Sequence, residues 1–265
     1  MIFSEPRGLY DLHVHTTFSD GRNTSREYVE EALSRGAAVI GFSDHSYTAF
    51  DPRYCMKPGS VGEYASEIAR LKEEFAGRIE ILCGIEQDLF SGKPEREFDY
   101  VIGSVHYFRI GDEYVPVDKN AEALKDAARK YFGGDLISLA CLYYEELESV
   151  VDATRATIIG HFDLIEKFNE DCVLFDTNDP RLARARLRAA DALLAIGAPF
   201  EINVGAISRG YRTSPYPSES VRKYLAERGA EFIFSSDCHK RENLLFCRDR
   251  VNTADGSWKG FGEDV

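Results

Sequence analysis

Short apolar runs alternate along this chain with longer stretches in which apolar residues recur every three or four positions. The short runs predict strands over residues 9–14, 38–42, 79–84, 98–105, 156–160, 199–203 and 231–235. The longer stretches predict helices over 25–35, 61–75, 120–131, 136–151, 180–196 and 217–228, with a final helix over 241–251. Local signals agree with these bounds. Asn23 or Thr24 can cap the first helix, with Glu27 in its first turn. Asp135 can cap the fourth, and Pro180 suits the first turn of the fifth. Gly36, Gly77, Gly197 and Gly229 fall where helices should stop. Residues 47–60, rich in proline and aromatic residues, read as a loop.

Seven strands, each followed by helical sequence, imply parallel crossovers and an α/β class. No repeat, linker or low-complexity segment divides the 265 residues. One domain over 1–265 is the economical reading, with a core over about 9–251 and a peripheral polar tail over 252–265. A barrel is the expected architecture, with its active site where the C-terminal ends of the strands open into loops.

Composition narrows the function classes. A formal net charge of -13 disfavours nucleic acid, whose backbone needs a basic surface. The opening residues lack a basic region followed by an apolar run, so no secretion signal is expected. The apolar run 196–204 is too short to span a membrane and contains Glu201. Six scattered cysteines form no Cys-x-x-Cys pair, and free thiols in a reducing cytoplasm are the plain expectation.

The histidines change the picture. His13, His15, His45, His106, His161 and His239 all fall at predicted strand ends, and none in a predicted helix. A single histidine after a strand is more often a hydrogen-bonded loop or core residue. Six of six in one structural position is a different observation, because independent roles would scatter them. Carboxylates accompany them: His13 and His15 share a strand face, as do Glu86 and Asp88, and Asp237 and His239. Asp20 follows in the turn after the first strand. Imidazole with carboxylate suits zinc, iron or manganese rather than calcium or a sulfur cluster. Some nine ligand candidates are too many for one metal, and enough for two or three.

In chain order the motifs are Asp-x-His-x-His-Thr-x-x-Ser-Asp-Gly from Asp11, Ser-Asp-His at 43–45, Gly-x-Glu at 84–86, Gly-Ser-Val-His at 103–106, Gly-His-x-Asp at 160–163 and Ser-Asp-x-His at 236–239. This ordered set resembles the PHP (polymerase and histidinol phosphatase) superfamily over nearly the whole chain. The segments 100–106, 158–165 and 201–203 followed by Arg209 are most similar to its histidinol-phosphatase branch. The resemblance implies a distorted (β/α)7 TIM-like barrel holding three divalent ions. It implies His13, His15, Glu86 and Asp237 on the first ion, Glu86 bridging to a second with His106 and His161, and Asp20, His45 and His239 on the third. It implies a phosphoric monoester hydrolase of histidine biosynthesis that converts L-histidinol phosphate and water to L-histidinol and phosphate with a metal-bound hydroxide. The loop 204–209 departs from the family's usual small-residue turn.

Other roles are expectations from residue type and position. Glu86, Asp163 and Arg209 are the candidate catalytic residues. Arg209, Arg155 and Tyr107 are the candidate substrate contacts, arginine because its planar fork pairs two phosphoryl oxygens. Asp11, Asp44, Asp163 and Glu201 are expected to orient imidazole N–H groups, with Asp163 or Asp44 as alternative donors to the leaving alcohol. Phe18, Tyr107 and Phe108 flank ligand positions and fit a pocket lining or core packing equally. Two other functions compete: a phosphatase or phosphodiesterase for another small phosphorylated metabolite, and a non-catalytic metal-stabilised interaction domain. The intact ligand set counts against the second.

Overall fold

The computed structural model describes residues 8–262. The opening residues 1–7, on which the expected absence of a secretion signal rests, and the last three residues of the tail lie outside them. Seven parallel strands form one sheet in the order β1 (Tyr10–Asp11), β2 (Val39–Phe42), β3 (Glu80–Asp88), β4 (Tyr100–Ser104), β7 (Ile158–Ile159), β8 (Phe200–Asn203) and β9 (Phe232–Ser235). Between β4 and β7 the chain makes an antiparallel hairpin of β5 (Tyr107–Ile110) and β6 (Glu113–Pro116). A second hairpin, β10 (Val251–Asn252) with β11 (Ser257–Trp258), follows the last barrel strand. The helices are α1 (Ser25–Ser34), α2 (Val61–Glu74), α3 (Ala121–Phe132), α4 (Leu136–Leu147), α5 (Val150–Thr154), α6 (Pro180–Leu194), α7 (Gly205–Ser208) and α8 (Glu219–Ala226).

The sheet closes on itself at its C-terminal end. Val14 bridges Cys238 in parallel. The His15 N–H donates to the Cys238 carbonyl at 3.0 Å, and the Cys238 N–H to the His13 carbonyl at 3.2 Å. Side chains take over ladder positions where β1 stops. The buried Tyr100 hydroxyl donates to the Leu12 carbonyl at 2.6 Å and to the Phe42 carbonyl at 3.0 Å, tying β1 to β2 across the interior. Its ring lies flat against Gly84, where any Cβ would overlap it. This is the seven-stranded α/β barrel that the alternating pattern predicts, in the distorted form that the family resemblance implies.

Most elements lie within a few residues of their predicted bounds. Thr24 and Glu27 form the reciprocal capping box of α1. Asn120 and Asp135 cap α3 and α4 through their carboxamide and carboxylate oxygens.

Three expectations fail. The helix predicted over 241–251 is two single 3-10 turns, at Arg241–Asn243 and Arg248–Arg250. The Leu245 N–H is drawn to Asp11 Oδ2 at 3.0 Å, and Leu245 and Cys247 take left-handed backbone, which no α-helix tolerates. The tail is only partly peripheral: buried Arg222 donates to the Gly256 carbonyl at 2.8 Å, which pins the second hairpin to α8. The predicted helix over 136–151 breaks into α4 and α5 at Glu148 and Ser149. Among the described residues no helix is long and apolar enough to cross a membrane.

Candidate metal centre

All six histidines gather at the C-terminal end of the barrel around Glu86, which is buried on β3. Its Oε2 faces His13 Nε2 at 3.3 Å, His15 Nε2 at 3.6 Å and His45 Nδ1 at 2.8 Å. Its Oε1 faces His106 Nε2 at 3.3 Å and His161 Nε2 at 3.0 Å. One carboxylate therefore divides five imidazoles between its two oxygens. Asp237 Oδ1 closes the first side, at 3.9 Å from His13 Nε2 and 3.5 Å from His15 Nε2. Asp20, less buried than the rest, faces His45 Nε2 at 3.8 Å and His239 Nε2 at 3.3 Å. The His239 ring stacks on His15 with centroids 4.2 Å apart.

Three groups bring their donor atoms within 4.8 Å of one another: His15, Asp20, His45 and His239; His13, His15 and Glu86; and His45, Glu86 and His106. They overlap and together hold seven of the nine predicted ligands, and the other two adjoin them, His161 through Glu86 Oε1 at 3.0 Å and Asp237 through His15 Nε2 at 3.5 Å. His45 addresses two parts of it, with Nδ1 toward Glu86 and Nε2 toward Asp20.

The cluster's unpaired atoms suit cations. His13 Nε2 and both ring nitrogens of His15 are buried without a hydrogen-bond partner. Leaving such groups bare is costly, and an ion among them would satisfy the lone pairs. Burial, then the neighbouring His239 and His45, push His15 down to about 3, which keeps it neutral as a ligand must be. Burial alone would raise the Glu86 carboxyl. The imidazoles of His45, His13 and His106 instead hold it well below the usual carboxylate range.

The supporting carboxylates sort differently from expectation. Glu201 does orient an imidazole, with His13 Nδ1 at 2.6 Å from its Oε1, and Ser235 donates to the same oxygen at 2.5 Å. Asp88, expected only to share a strand face with Glu86, serves as a further helper. It faces His106 Nδ1 at 3.3 Å and accepts the His106 N–H at 3.0 Å. Asp11 and Asp44 serve the backbone instead. Asp11 accepts the N–H of Ser236 at 3.1 Å and of Leu245 at 3.0 Å. Asp44 accepts the N–H and hydroxyl of Thr16, both at 2.8 Å, and those of Ser19 at 3.0 and 2.6 Å. It thereby shapes the turn from His15 to Asp20. Gly21 ends that turn so close to the His15 carbonyl that no side chain fits there.

The cluster floors a cavity of about 490 Å³, within the size range of small-molecule sites. Arg209 lines it, donating from Nη2 to Asp237 Oδ2 at 3.0 Å and from Nη1 to the Asp237 carbonyl at 3.0 Å. Tyr107 lines it as well. Phe108 is core, and Phe18 lines a separate groove beside α1.

Two expected contacts fail. Arg155 is exposed and precedes β7, so it stands at the opposite end of the barrel from the cluster. Asp163 is buried outside the cavity lining and accepts the Ser218 N–H at 2.6 Å. Asp44 is likewise enclosed by its turn. Neither is placed to protonate a leaving group. No motif points to the pair on the wall formed by buried Lys167 and the more exposed Asp118, joined at 3.1 Å. Each approaches from an irregular segment without a motif.

With this geometry in view, the sequence pattern of the PHP domain matches residues 11–205. The chain belongs to the PHP domain family. The match begins at the first ligand strand and runs through β8 to the start of α7. Among PHP relatives, the "Probable histidinol-phosphatase" of Deinococcus radiodurans is 31% identical over 253 residues, covering 90% of this chain and 89% of that one. Two crystal structures share the fold. The Listeria monocytogenes protein hisK superposes with a TM-score of 0.77 at 17% identity, over 91% of this chain and 98% of its own. The histidinol phosphate phosphatase of Lactococcus lactis subsp. lactis, complexed with zinc, L-histidinol and phosphate, gives 0.64 at 21% identity, over 88% and 87%.

Proposed function

We propose that this chain is a metal-dependent phosphoric monoester hydrolase that converts L-histidinol phosphate and water to L-histidinol and phosphate. The observation that carries the reading is Glu86, set among five imidazoles on the floor of a cavity that Arg209 also lines. The Deinococcus radiodurans relative, similar over nearly the whole of both chains, supports the substrate. Six free cysteines support a reducing, cytoplasmic setting.

The donor set suits three divalent ions of the zinc, iron or manganese kind. His13, His15, Glu86 and Asp237 would hold one. Glu86, His106 and His161 would hold the second, and Asp20, His45 and His239 the third. Zinc in the Lactococcus lactis structure fits this choice. Ions bound there would make water acidic enough to attack phosphorus and would offset the charge of the phosphoryl group.

The chain's own residues do the rest. Glu201 holds the His13 ring so that its other nitrogen faces Glu86, and Asp88 holds the backbone N–H of His106, whose Nε2 faces Glu86. Arg209 already lies against Asp237 and His239, and its guanidinium pairs phosphoryl oxygens as charge moves from the attacking to the leaving oxygen. The phosphorus–oxygen bond to the alcohol breaks as water's oxygen joins phosphorus, and the alcohol leaves with a proton.

The test is phosphate release from L-histidinol phosphate by metal-replete protein, alongside Glu86→Gln. The variant should keep its circular dichroism, lose metal on dialysis and lose activity by about 10³-fold or more. A folded wild-type protein that carries metal and leaves this ester intact overturns the substrate. A fully active Glu86→Gln overturns the bridging role.

A further inference from the structure

One wall of the cavity takes no part in the hydrolytic chemistry. Tyr54 stands edge-on to His45 at 4.8 Å, Tyr107 lies 6.2 Å beyond Tyr54, and Phe50 meets Tyr107 edge-on at 4.8 Å. Asp51 sits among these rings and accepts the Tyr107 hydroxyl at 3.0 Å. Its side chain is 15% exposed. Its cationic partner is not comparably buried: Arg53 reaches both carboxylate oxygens, at 2.7 and 2.8 Å, yet is 80% exposed. A guanidinium that open is screened by water and easily exchanged. Asp118, the other carboxylate on the upper wall, is different, because Lys167 is itself buried and satisfies it from inside.

The cavity thus has two ends of opposite preference. The floor and Arg209 suit a phosphoryl dianion. The far wall offers a sheltered carboxylate with a replaceable partner, framed by aromatic faces that attract cations. We propose that Asp51, with the rings of Tyr54 and Tyr107, receives a cationic nitrogen on the leaving alcohol and so makes the enzyme selective for amine-bearing phosphomonoesters. This rests on the phosphatase reading above and adds the feature by which one ester is told from another. An ester with an uncharged leaving group gains no ion pair where Arg53 stays on Asp51, and leaves the carboxylate unpaired where it displaces Arg53.

The experiment measures kcat/KM of the metal-loaded enzyme for L-histidinol phosphate and for p-nitrophenyl phosphate, in the wild type, Asp51→Asn and Asp51→Glu. Asn keeps the acceptor for Tyr107 and removes the charge. Circular dichroism and metal content check that each variant is intact. The wild type should favour the amine-bearing ester. Asp51→Asn should cut the ratio of the two constants by about 30-fold or more, chiefly through KM, and Asp51→Glu should restore part of it. An unchanged ratio in folded, metal-loaded Asp51→Asn overturns the role of Asp51 while the phosphatase reading stands. A wild type that hydrolyses only p-nitrophenyl phosphate overturns the substrate reading, and this proposal with it.

Discussion

Asp44 illustrates how a residue beside a ligand can govern the ligand set without joining it. It follows β2 immediately before His45, and its four acceptor contacts all go to Thr16 and Ser19. The turn they hold carries Asp20 back to His45 and His239. Asp44→Ala should therefore loosen the Asp20 site before the others. We expect a stability loss of about 2–4 kcal/mol, from hydrogen bonds to a buried charge. We also expect loss of close to one metal equivalent on dialysis, read by elemental analysis, while Glu86 keeps the remainder. That the nine candidate residues would lie together was legible because residue type and strand-end position point to one end of the barrel. The helpers were not. Asp44, Asp11 and Asp163 are all short carboxylates near a ligand, and all three bond backbone N–H groups. Glu201 alone of the four expected helpers reaches an imidazole, since it leaves a regular strand whose alternation fixes its direction.

At the scale of elements, the hairpin β5–β6 is the main feature the hydrophobic pattern did not reveal. It carries Tyr107 and Pro116 and leads into Asp118, so part of the cavity wall depends on it. Its turn signal is Gly111-Asp112, with φ of +64° at the glycine, but the flanking runs are only four residues each. The final predicted helix failed for the opposite reason, because Asp11 captures its backbone from 234 residues away. The hairpin is fastened to α4 by Glu146, which accepts the Arg109 N–H at 2.9 Å. Burial pushes this carboxyl from 4.5 up to about 7, against the lowering effect of that hydrogen bond. The folded state thus binds the proton more tightly than the unfolded one. This contribution to stability is complete below pH 4.5 and is lost as pH rises to about 7. Glu146→Gln keeps the acceptor and removes the titration. Urea unfolding at pH 5 and pH 8 should show the variant gaining about 2 kcal/mol on the wild type at the higher pH. Equal differences at both pH values would contradict the assignment.

At the scale of the whole molecule, the barrel closes where its ligands lie. The segment with His13 and His15 pairs with the segment between Asp237 and His239. Ions shared across that line would tie the first strand to the last. Chelation should therefore lower the melting temperature by several degrees, about the shift expected for a ligand held well above its dissociation constant. Hydrogen exchange should quicken first at residues 12–15 and 236–239, and last in β3 and β4, whose pairing is the most extensive in the sheet. Fold class was readable from the alternation of elements, because strand-to-helix order dictates parallel crossovers. The closing line was not, since β1 has only two residues in its ladder.

That line also sets the order of events during synthesis. Asp237 and His239 leave the ribosome more than two hundred residues after His13 and His15. Any product cut short before β9 lacks both the strand that shuts the barrel and two of the groups that would grip an ion. The ion sites that Asp237 and His239 would complete therefore wait on the last strand, whereas the site around Glu86, His106 and His161 does not.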